Sequence, residues 1–187
     1  MPYRNGNYAA FYVAIPFKET NLGANIAHDF CYYNALRMWK GRDSSFPFID
    51  SHNKNYNVRD GSDWEKTLKP RLHERLKNSK NIILFLSSIT KNSQALKEEI
   101  DYGINICGLP IIVVYPDFCN RSDIVYHDGI LKEQVTNLWD KLPTLRNNMD
   151  KIPTLHIAMN KNDITMALSN EGFMVKTKTK NGSYYYK

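Results

Sequence analysis

Two continuous apolar runs constrain this chain most, IILFLS at 82–87 and PIIVVYP at 110–116. Runs without alternation are typical of parallel strands that are covered on both faces by helices. The segment between them is first polar and then amphipathic, so it predicts a loop followed by a helix. Asn92 or Ser93 can cap this helix, and Gly108 followed by Pro110 can end it. The stretch therefore predicts a β–loop–α–β unit, the repeating element of α/β folds.

The same alternation extends along most of the chain. Strands are predicted at 9–17, 46–50, 82–87, 110–116 and 154–159, and helices at 23–40, from Ser62 onward, at 93–107, 130–141 and 161–170. Five mainly parallel strands with helices on both faces predict a flavodoxin-like doubly wound sheet. We expect one domain over 1–187, with a core at about 8–170. The basic and then aromatic tail, 171–187, is open to three interpretations: a frayed end, a small hairpin or an interface arm.

The helix predicted from Ser62 shows two local signals. Ser62 and Glu65 have the S-x-x-E spacing of a capping box, which marks a helix start. Pro70 then falls inside the apolar repeat of this helix, so we expect it to kink the helix or divide it in two.

Composition limits the environment and the partners. The net charge of +6 and the pI of about 9.1 permit binding to nucleic acid or to a phosphate-bearing small molecule. Interleaved basic and aromatic motifs of known spacing are absent, which makes nucleic acid the less favoured partner. Cys31, Cys107 and Cys119 form no CxxC pair, and the chain has neither a signal-peptide run nor an apolar stretch of membrane-spanning length. We expect reduced thiols and a cytoplasmic protein.

One carboxylate stands out on the helix predicted at 93–107. At about 100° per residue, its apolar residues centre near the direction of Ile100. Glu98 points away from that stripe, so it is expected to be solvated. Glu99 lies roughly 80° from the centre, at the margin of the core. A structural role explains such a residue, through a lysine partner or a loop cap, but perturbed acids at cleft edges are also enriched at functional sites.

The order of elements resembles TIR domains, and it is most similar to the TIR-like subgroup of the Thoeris anti-phage system, the ThsB proteins. The resemblance rests on ILFLSS, a loop, ALKEEIDYGI and GLPIIVVYP, and it covers about residues 8–118. In enzymatic TIR domains a strand ends in serine, and the next helix has a glutamate followed by an aliphatic residue. Carried across, the serines are Ser87 and Ser88, the glutamate is Glu99, and the aromatic loop of the first strand falls on Pro16 and Phe17.

This resemblance implies cleavage of the bond between nicotinamide and ribose in NAD⁺, through an oxocarbenium-like transition state. Glu99 would be the catalytic carboxylate that stabilises the developing positive charge. If water accepts the ADP-ribosyl group, the product is ADP-ribose. A nucleophile within the same molecule would give a cyclic ADP-ribose isomer, and another metabolite would give an ADP-ribosyl conjugate. The resemblance favours one of the last two products, a diffusible signal that activates a partner effector protein.

Other residues are candidates for substrate binding. Ligands of doubly wound sheets bind at the carboxyl ends of the strands. Asp50 ends the second predicted strand and Ser87 and Ser88 end the third, where they can contact ribose or phosphate or only satisfy the loop backbone. Phe17 can stack on a nicotinamide or adenine ring or pack within its own loop.

Cofactors are not expected. The sequence has no G-x-G-x-x-G and no Walker A motif, so NAD⁺ would be a consumed substrate and not a hydride carrier. The five histidines lack metal-ligand spacing, and we predict no metal.

Two other functions remain open from the sequence. The first is a non-catalytic TIR-like interaction or adaptor module, for which the tyrosine-rich tail would serve an interface and homo-oligomers would form. The second is a flavodoxin-like binder of nucleotides or nucleic acid.

Overall fold

The protein is described by a computed structural model that covers residues 4–12, 29–52 and 63–186. These residues contain one sheet of five parallel strands whose spatial order follows the chain. The strands are β1 (Gly6–Ala10), β2 (Ser79–Phe85), β3 (Ile111–Tyr115), β4 (Pro153–Ala158) and β5 (Gly182–Tyr185). The apolar run at 82–87 begins within β2 and the run at 110–116 contains β3, and residues 82–87 and 111–115 are buried at the centre of the sheet, as predicted.

The strand predicted at 46–50 is wrong as a full strand. Only Asp50 forms a parallel bridge, with Asn7 of β1. The Asn7 amide donates to the Ile49 carbonyl over 2.6 Å, and the Asn7 carbonyl accepts from Ser51. Turn hydrogen bonds around Phe46 replace ladder bonds in the rest of the segment. The segment nevertheless lies on the edge of β1 opposite β2, which is the position of the second strand in a flavodoxin-like order.

Helices cover both faces of the sheet, and the flavodoxin-like α/β class is confirmed. The helices are α1 (Phe30–Arg42), α2 (Lys69–Lys77), α3 (Gln94–Asp101), α4 (Arg121–Ile124), α5 (Glu133–Thr136), α6 (Pro143–Arg146) and α7 (Lys161–Ser169). One apolar cluster joins the sheet to α2 and α3, and a second joins its other face to α1 and α7.

The helix predicted from Ser62 changes its winding beside Pro70 but is not divided in two. A π-helical turn, Trp64–Leu68, runs directly into α2, because Leu68 and Lys69 both have helical φ and ψ angles and the Lys69 amide donates to the Trp64 carbonyl. Pro70 is the second residue of α2. The side chain that caps the start is that of Asp63, which accepts from the Lys66 amide over 2.7 Å. Ser62 lies outside the described residues.

The helix predicted at 93–107 is confirmed in its start and its end. Ser93 caps α3 by accepting from the Leu96 amide, and a π-helical turn, Tyr102–Ile106, continues it. Gly108 has a φ of 62° and ends the helix with a left-handed residue, a conformation in which glycine has no Cβ penalty. The predicted apolar stripe, including Ile100 and Ile104, is buried.

The chain after 120 differs most from the predictions. The helix expected at 130–141 is a short α5 followed by a 3₁₀ turn, Asn137–Lys141. The tail is neither frayed nor a hairpin, because β5 pairs in parallel with β4 and forms the sheet edge. Tyr184 of β5 packs edge-on against Phe173, with ring centroids 5.6 Å apart.

The first strand and the first helix also have bounds that differ from the predicted ones. The first strand begins at Gly6 and ends at Ala10, not at 9 and 17, and α1 is described only from Phe30, since 13–28 lie outside the described residues. Among the residues that the structure describes, no helix is long and apolar enough to cross a membrane.

Two helical glycines provide a matched test of the packing. A Cβ on Gly103 would lie 2.3 Å from Cδ1 of the buried Ile82, whereas a Cβ on Gly41 would meet nothing within 4 Å. We expect Gly103→Ala to destabilise the fold by about 1–3 kcal/mol through overpacking. Gly41→Ala should stabilise it by about 0.5–1 kcal/mol because alanine favours the helix. Urea unfolding of both variants checks this, and equal effects would contradict the close approach of the 102–106 turn to β2.

Candidate functional site

Glu99 lies on α3 with its carboxyl group turned toward β1. The Tyr8 hydroxyl donates to Oε1 over 2.9 Å, while Oε2 is buried and has no hydrogen-bond partner. No lysine or arginine among the described residues comes within ion-pair distance of Glu99. A buried, half-satisfied carboxyl group is costly to a fold. The prediction that Glu99 lies at the margin of the core is confirmed.

Burial sets the ionisation of Glu99. Removal from water raises the pKa of this carboxyl to about 8, although the Tyr8 hydrogen bond and the charge of Arg75 act in the opposite direction. Burial and the nearby Glu99 charge raise the pKa of Tyr8 well above its usual value, so Tyr8 remains the donor. Glu99 therefore titrates near neutral pH, which is the range in which a carboxyl group can serve in acid or base chemistry.

Tyr8 is held in place by His52. The two rings lie 4.6 Å apart, and the His52 Nε2 is 3.0 Å from the Ala9 carbonyl. Because a carbonyl only accepts, Nε2 carries the proton, and Nδ1 accepts from Arg75 Nη1 over 3.3 Å. Burial, and then the charge of Arg75, lowers the pKa of His52 to about 4. His52 is thus a neutral ring wedged beside the tyrosine that contacts Glu99.

Asp50 is a neighbour of this group. Its Oδ2 accepts from the Tyr33 hydroxyl over 2.6 Å, and its Oδ1 accepts from the His52 amide over 2.9 Å. Tyr33 also contacts the His52 ring edge-on at 5.7 Å. Both carboxylate oxygens therefore fix the turn that positions His52.

Ser87 belongs to a second polar group at the carboxyl end of β2. Its Oγ donates to Asp29 Oδ1 over 2.9 Å, and Thr90 Oγ1 donates to Oδ2 over 3.1 Å. All three residues are buried. Burial raises the pKa of Asp29, and the bonds from Ser87, Thr90 and the Tyr12 amide oppose that rise. The Asp29 carboxylate thereby ties the start of α1 to the ends of β1 and β2.

Ser88 is exposed beside this group. Its amide donates to Asp117 Oδ2 over 2.6 Å, which joins the loop after β2 to the loop after β3. Ser88 itself lies just beyond the carboxyl end of β2, the end of the sheet where ligands of this fold class bind. Phe17, the remaining substrate-binding candidate, lies outside the described residues.

The structure thus places the predicted residues in two groups beside β1 and β2. Glu99 and Asp50 are linked through Tyr8 and His52. In the other group, Ser87 donates to Asp29 and Ser88 donates to Asp117. Glu99 contacts a residue two positions before the end of β1, roughly 7 Å below the rim. The catalytic candidate Glu99 consequently lies on the face of the sheet that α3 covers, below the rim formed by the carboxyl ends of the strands.

The expectation for Glu98 is wrong. Its Oε1 is 2.7 Å from His73 Nε2 and 3.9 Å from Lys69, and its side chain is only 25% exposed. A helical projection treats α3 as isolated, but α2 packs beside it, and the His73 ring stacks on Tyr102 at 3.5 Å. Glu98 is thus a surface ion-pair partner on the side away from Tyr8.

Three residues of the site escaped the sequence interpretation. Tyr8 precedes the predicted start of the first strand, Asp29 falls inside the predicted helix at 23–40, and His52 enters the sequence analysis only as one of five histidines without metal-ligand spacing. The signal for Tyr8 was available, because a tyrosine buried in an aliphatic strand needs a partner for its hydroxyl. No group of three or more His, Cys, Asp or Glu side chains in the described ranges could hold a metal ion.

Together these features define a TIR-like α/β domain: a parallel sheet in flavodoxin-like order, serines at the end of a central strand, and a buried glutamate on the following helix. Residues 8–121 match the family described as "Thoeris protein ThsB, TIR-like domain", and the chain belongs to that family. It is a TIR-like protein of Thoeris defence, a system that includes partner proteins.

One solved structure is similar in its overall arrangement. It is described as "Crystal structure of conserved protein from Enterococcus faecalis V583". The sequences are 15% identical, the match covers 88% of this chain and 97% of that chain, and the TM-score is 0.47.

Proposed function

We propose that this protein cleaves the N-glycosidic bond of NAD⁺ in Thoeris defence, releasing nicotinamide and transferring the ADP-ribosyl group to form a signal. The observation that carries the proposal is the Glu99 carboxyl group, which is buried, lacks a charged partner among the described residues and keeps one oxygen without a hydrogen bond. Buried carboxyl groups with a raised pKa are enriched at functional sites.

The chemistry requires a carboxylate and little else. Nicotinamide leaves as a neutral molecule, so its departure needs no general acid. Positive charge develops on the ribose ring as the bond breaks, and an ionised carboxylate in a site of low dielectric stabilises that charge. Glu99 Oε2 has a free lone pair for a ribose hydroxyl, while Tyr8 holds Oε1.

The raised pKa of Glu99 fits a cationic substrate. The pKa of about 8 leaves most of this carboxyl protonated at pH 7 before substrate binds. The nicotinamide ring of NAD⁺ carries a positive charge, and a nearby positive charge favours the carboxylate form. Binding of NAD⁺ would therefore promote the ionised form that catalysis needs.

The second half of the reaction determines the product. An acceptor inside the substrate would close a cyclic ADP-ribose isomer, and a separate metabolite would form an ADP-ribosyl conjugate. Either product is a diffusible nucleotide, and a partner effector of the defence system would receive it. This product would make the protein a signal producer and not a detoxifying hydrolase.

Incubation of the protein with NAD⁺, followed by mass spectrometry, tests the proposal. We expect free nicotinamide and an equal amount of an ADP-ribose-derived species that is not ADP-ribose alone. Release of nicotinamide with ADP-ribose as the only partner product would contradict signal production, even though it would support glycosidic cleavage.

Tyr8→Phe should move the pH dependence of this activity. The Tyr8 hydroxyl stabilises the ionised form of Glu99, so its removal raises the Glu99 pKa further. A hydrogen bond to a charged group is worth about 1.5–3 kcal/mol, which predicts a midpoint at least about one pH unit higher. Tyr33→Phe is the control, since it removes a similar hydrogen bond to Asp50 without touching Glu99. A Tyr8→Phe midpoint equal to that of the wild type would show that this tyrosine does not control Glu99.

A further inference from the structure

A cavity lies at the opposite end of the sheet from the strand carboxyl ends. Its volume is about 290 Å³, near the lower end for small-molecule pockets. It is bounded by the residues before β1, by the start of β2 and by the segment that connects α7 to β5. Its lining includes neither Glu99 nor Tyr8, Asp50 or His52, so it is distinct from the group that holds Glu99.

The walls of the cavity are fixed by hydrogen bonds. The Val175 amide donates to the Lys80 carbonyl over 2.8 Å, and Thr177 Oγ1 donates to the Glu171 carbonyl over 2.6 Å. On the other side, the buried Asn7 side chain accepts from the Ile49 amide over 2.8 Å and donates to Asn81. The cavity is therefore preformed and needs no rearrangement to accept a ligand.

Positive charge dominates the lining. Arg4, Lys80 and Lys176 are cationic, whereas Glu171 is the acidic residue among the described lining. Lys80 is only half-exposed, and within the described residues its ammonium group has neither a hydrogen-bond nor an ion-pair partner. Removal from water lowers the pKa of Lys80, and no carboxylate offsets that effect. A desolvated cation with no counter-charge is a ready position for an anion.

The rest of the lining is apolar. Ile49 is 49% exposed although it adjoins the buried core, and Met174 and Val175 line the same space. An apolar wall beside converging cations suits a ligand that has an anionic group and a flat or apolar body.

We propose that this cavity binds a small phosphorylated molecule of about mononucleotide size. Its phosphate would lie between Lys80, Arg4 and Lys176. Its ring would lie against Ile49, Met174 and Val175. This assignment also gives a role to Lys176 of the tail, which the proposed catalytic site does not use.

Calorimetric titration of the full chain with AMP tests the proposal, with adenosine, inorganic phosphate and a single-stranded oligonucleotide as separate titrants. We expect AMP to bind more tightly than adenosine or phosphate and more tightly than the oligonucleotide. Lys80→Gln and Arg4→Gln should each weaken AMP binding at least tenfold. Lys97→Gln, which alters an exposed lysine on α3, should leave binding unchanged.

Several results would overturn the proposal. AMP binding that is undetectable at millimolar concentration would do so, as would the same AMP affinity in the wild type and both variants. An affinity for adenosine or phosphate equal to that for AMP would also contradict it, and tighter binding of the oligonucleotide than of AMP would indicate a nucleic-acid surface. Lys80→Gln should unfold at the same temperature as the wild type or at a higher one, because it removes a desolvated charge. A loss of AMP binding in this stable variant then reports the loss of the Lys80 contact and not unfolding.

The same variant should cleave NAD⁺ at the wild-type rate, so failure of either proposal can be distinguished from failure of the other.

Discussion

Replacement of Glu99 by glutamine is expected to lower the rate of nicotinamide release from NAD⁺ at least ~100-fold. That loss corresponds to about 2.7 kcal/mol of transition-state stabilisation. Glutamine keeps the volume of the side chain and the acceptor for the Tyr8 hydroxyl, but it cannot carry the negative charge that stabilises a ribosyl cation. The rate is measured as nicotinamide released per unit of folded protein.

Glu98→Gln is the matched control for this experiment. It removes a carboxylate at the adjacent position of α3, where the partners are His73 and Lys69 and not Tyr8. The loss of this partly exposed ion pair should cost at most about 1 kcal/mol of stability and leave the rate near that of the wild type. If both variants lost activity equally, a general effect of charge on α3 would replace the specific role of Glu99.

The activity should also rise steeply with pH up to about 8. The pKa of Glu99 is about 8 before substrate binds, so the ionised fraction falls about tenfold for each pH unit below that value. We expect kcat/KM to be roughly 50-fold lower at pH 6 than at pH 8. Initial rates at low NAD⁺ concentration measure this directly, and a profile that is flat between pH 6 and 8 would contradict the assignment.

The ionisation of Glu99 should also change the free energy of unfolding, which should fall as pH rises while the activity increases. Glu99 has a pKa of about 8 in the folded protein and an ordinary value of 4.5 when unfolded. Between these values the folded state binds the extra proton, so its contribution to stability is complete below pH 4.5 and is lost as pH rises through 8. Glu99→Gln should consequently be more stable than the wild type at pH 8.5, by at least about 1 kcal/mol, and show little gain at pH 5.

The parts of the fold that the sequence predicted well are those with strong local patterns. Residues 82–85 of β2 and all of β3 are apolar because helices cover both faces of the sheet, and this property is visible without knowledge of their neighbours. The cap at Ser93 and the left-handed Gly108 follow from backbone chemistry within a few residues. The marginal position of Glu99 follows from helical periodicity alone.

The parts that it missed depend on distant partners. The hydrogen bond between Tyr8 and Glu99 joins residues 91 positions apart, and no local pattern encodes it. Glu98 is only partly exposed because a neighbouring helix covers it, which a projection of α3 by itself cannot show. The tail becomes β5 because Tyr184 finds Phe173 and the open edge of β4, although its lysines and glycine give a weak strand signal.

The proposed role of Glu99 is to stabilise the ribosyl cation as the nicotinamide–ribose bond breaks. Equal amounts of wild type and Glu99→Gln, added to NAD⁺-supplied lysate of phage-infected cells, test it most directly by mass spectrometry. We expect nicotinamide and a new ADP-ribose-derived species with the wild type, and neither with the variant. The same products from both proteins would remove Glu99 from catalysis, and no product from the folded wild type would indicate a non-catalytic adaptor.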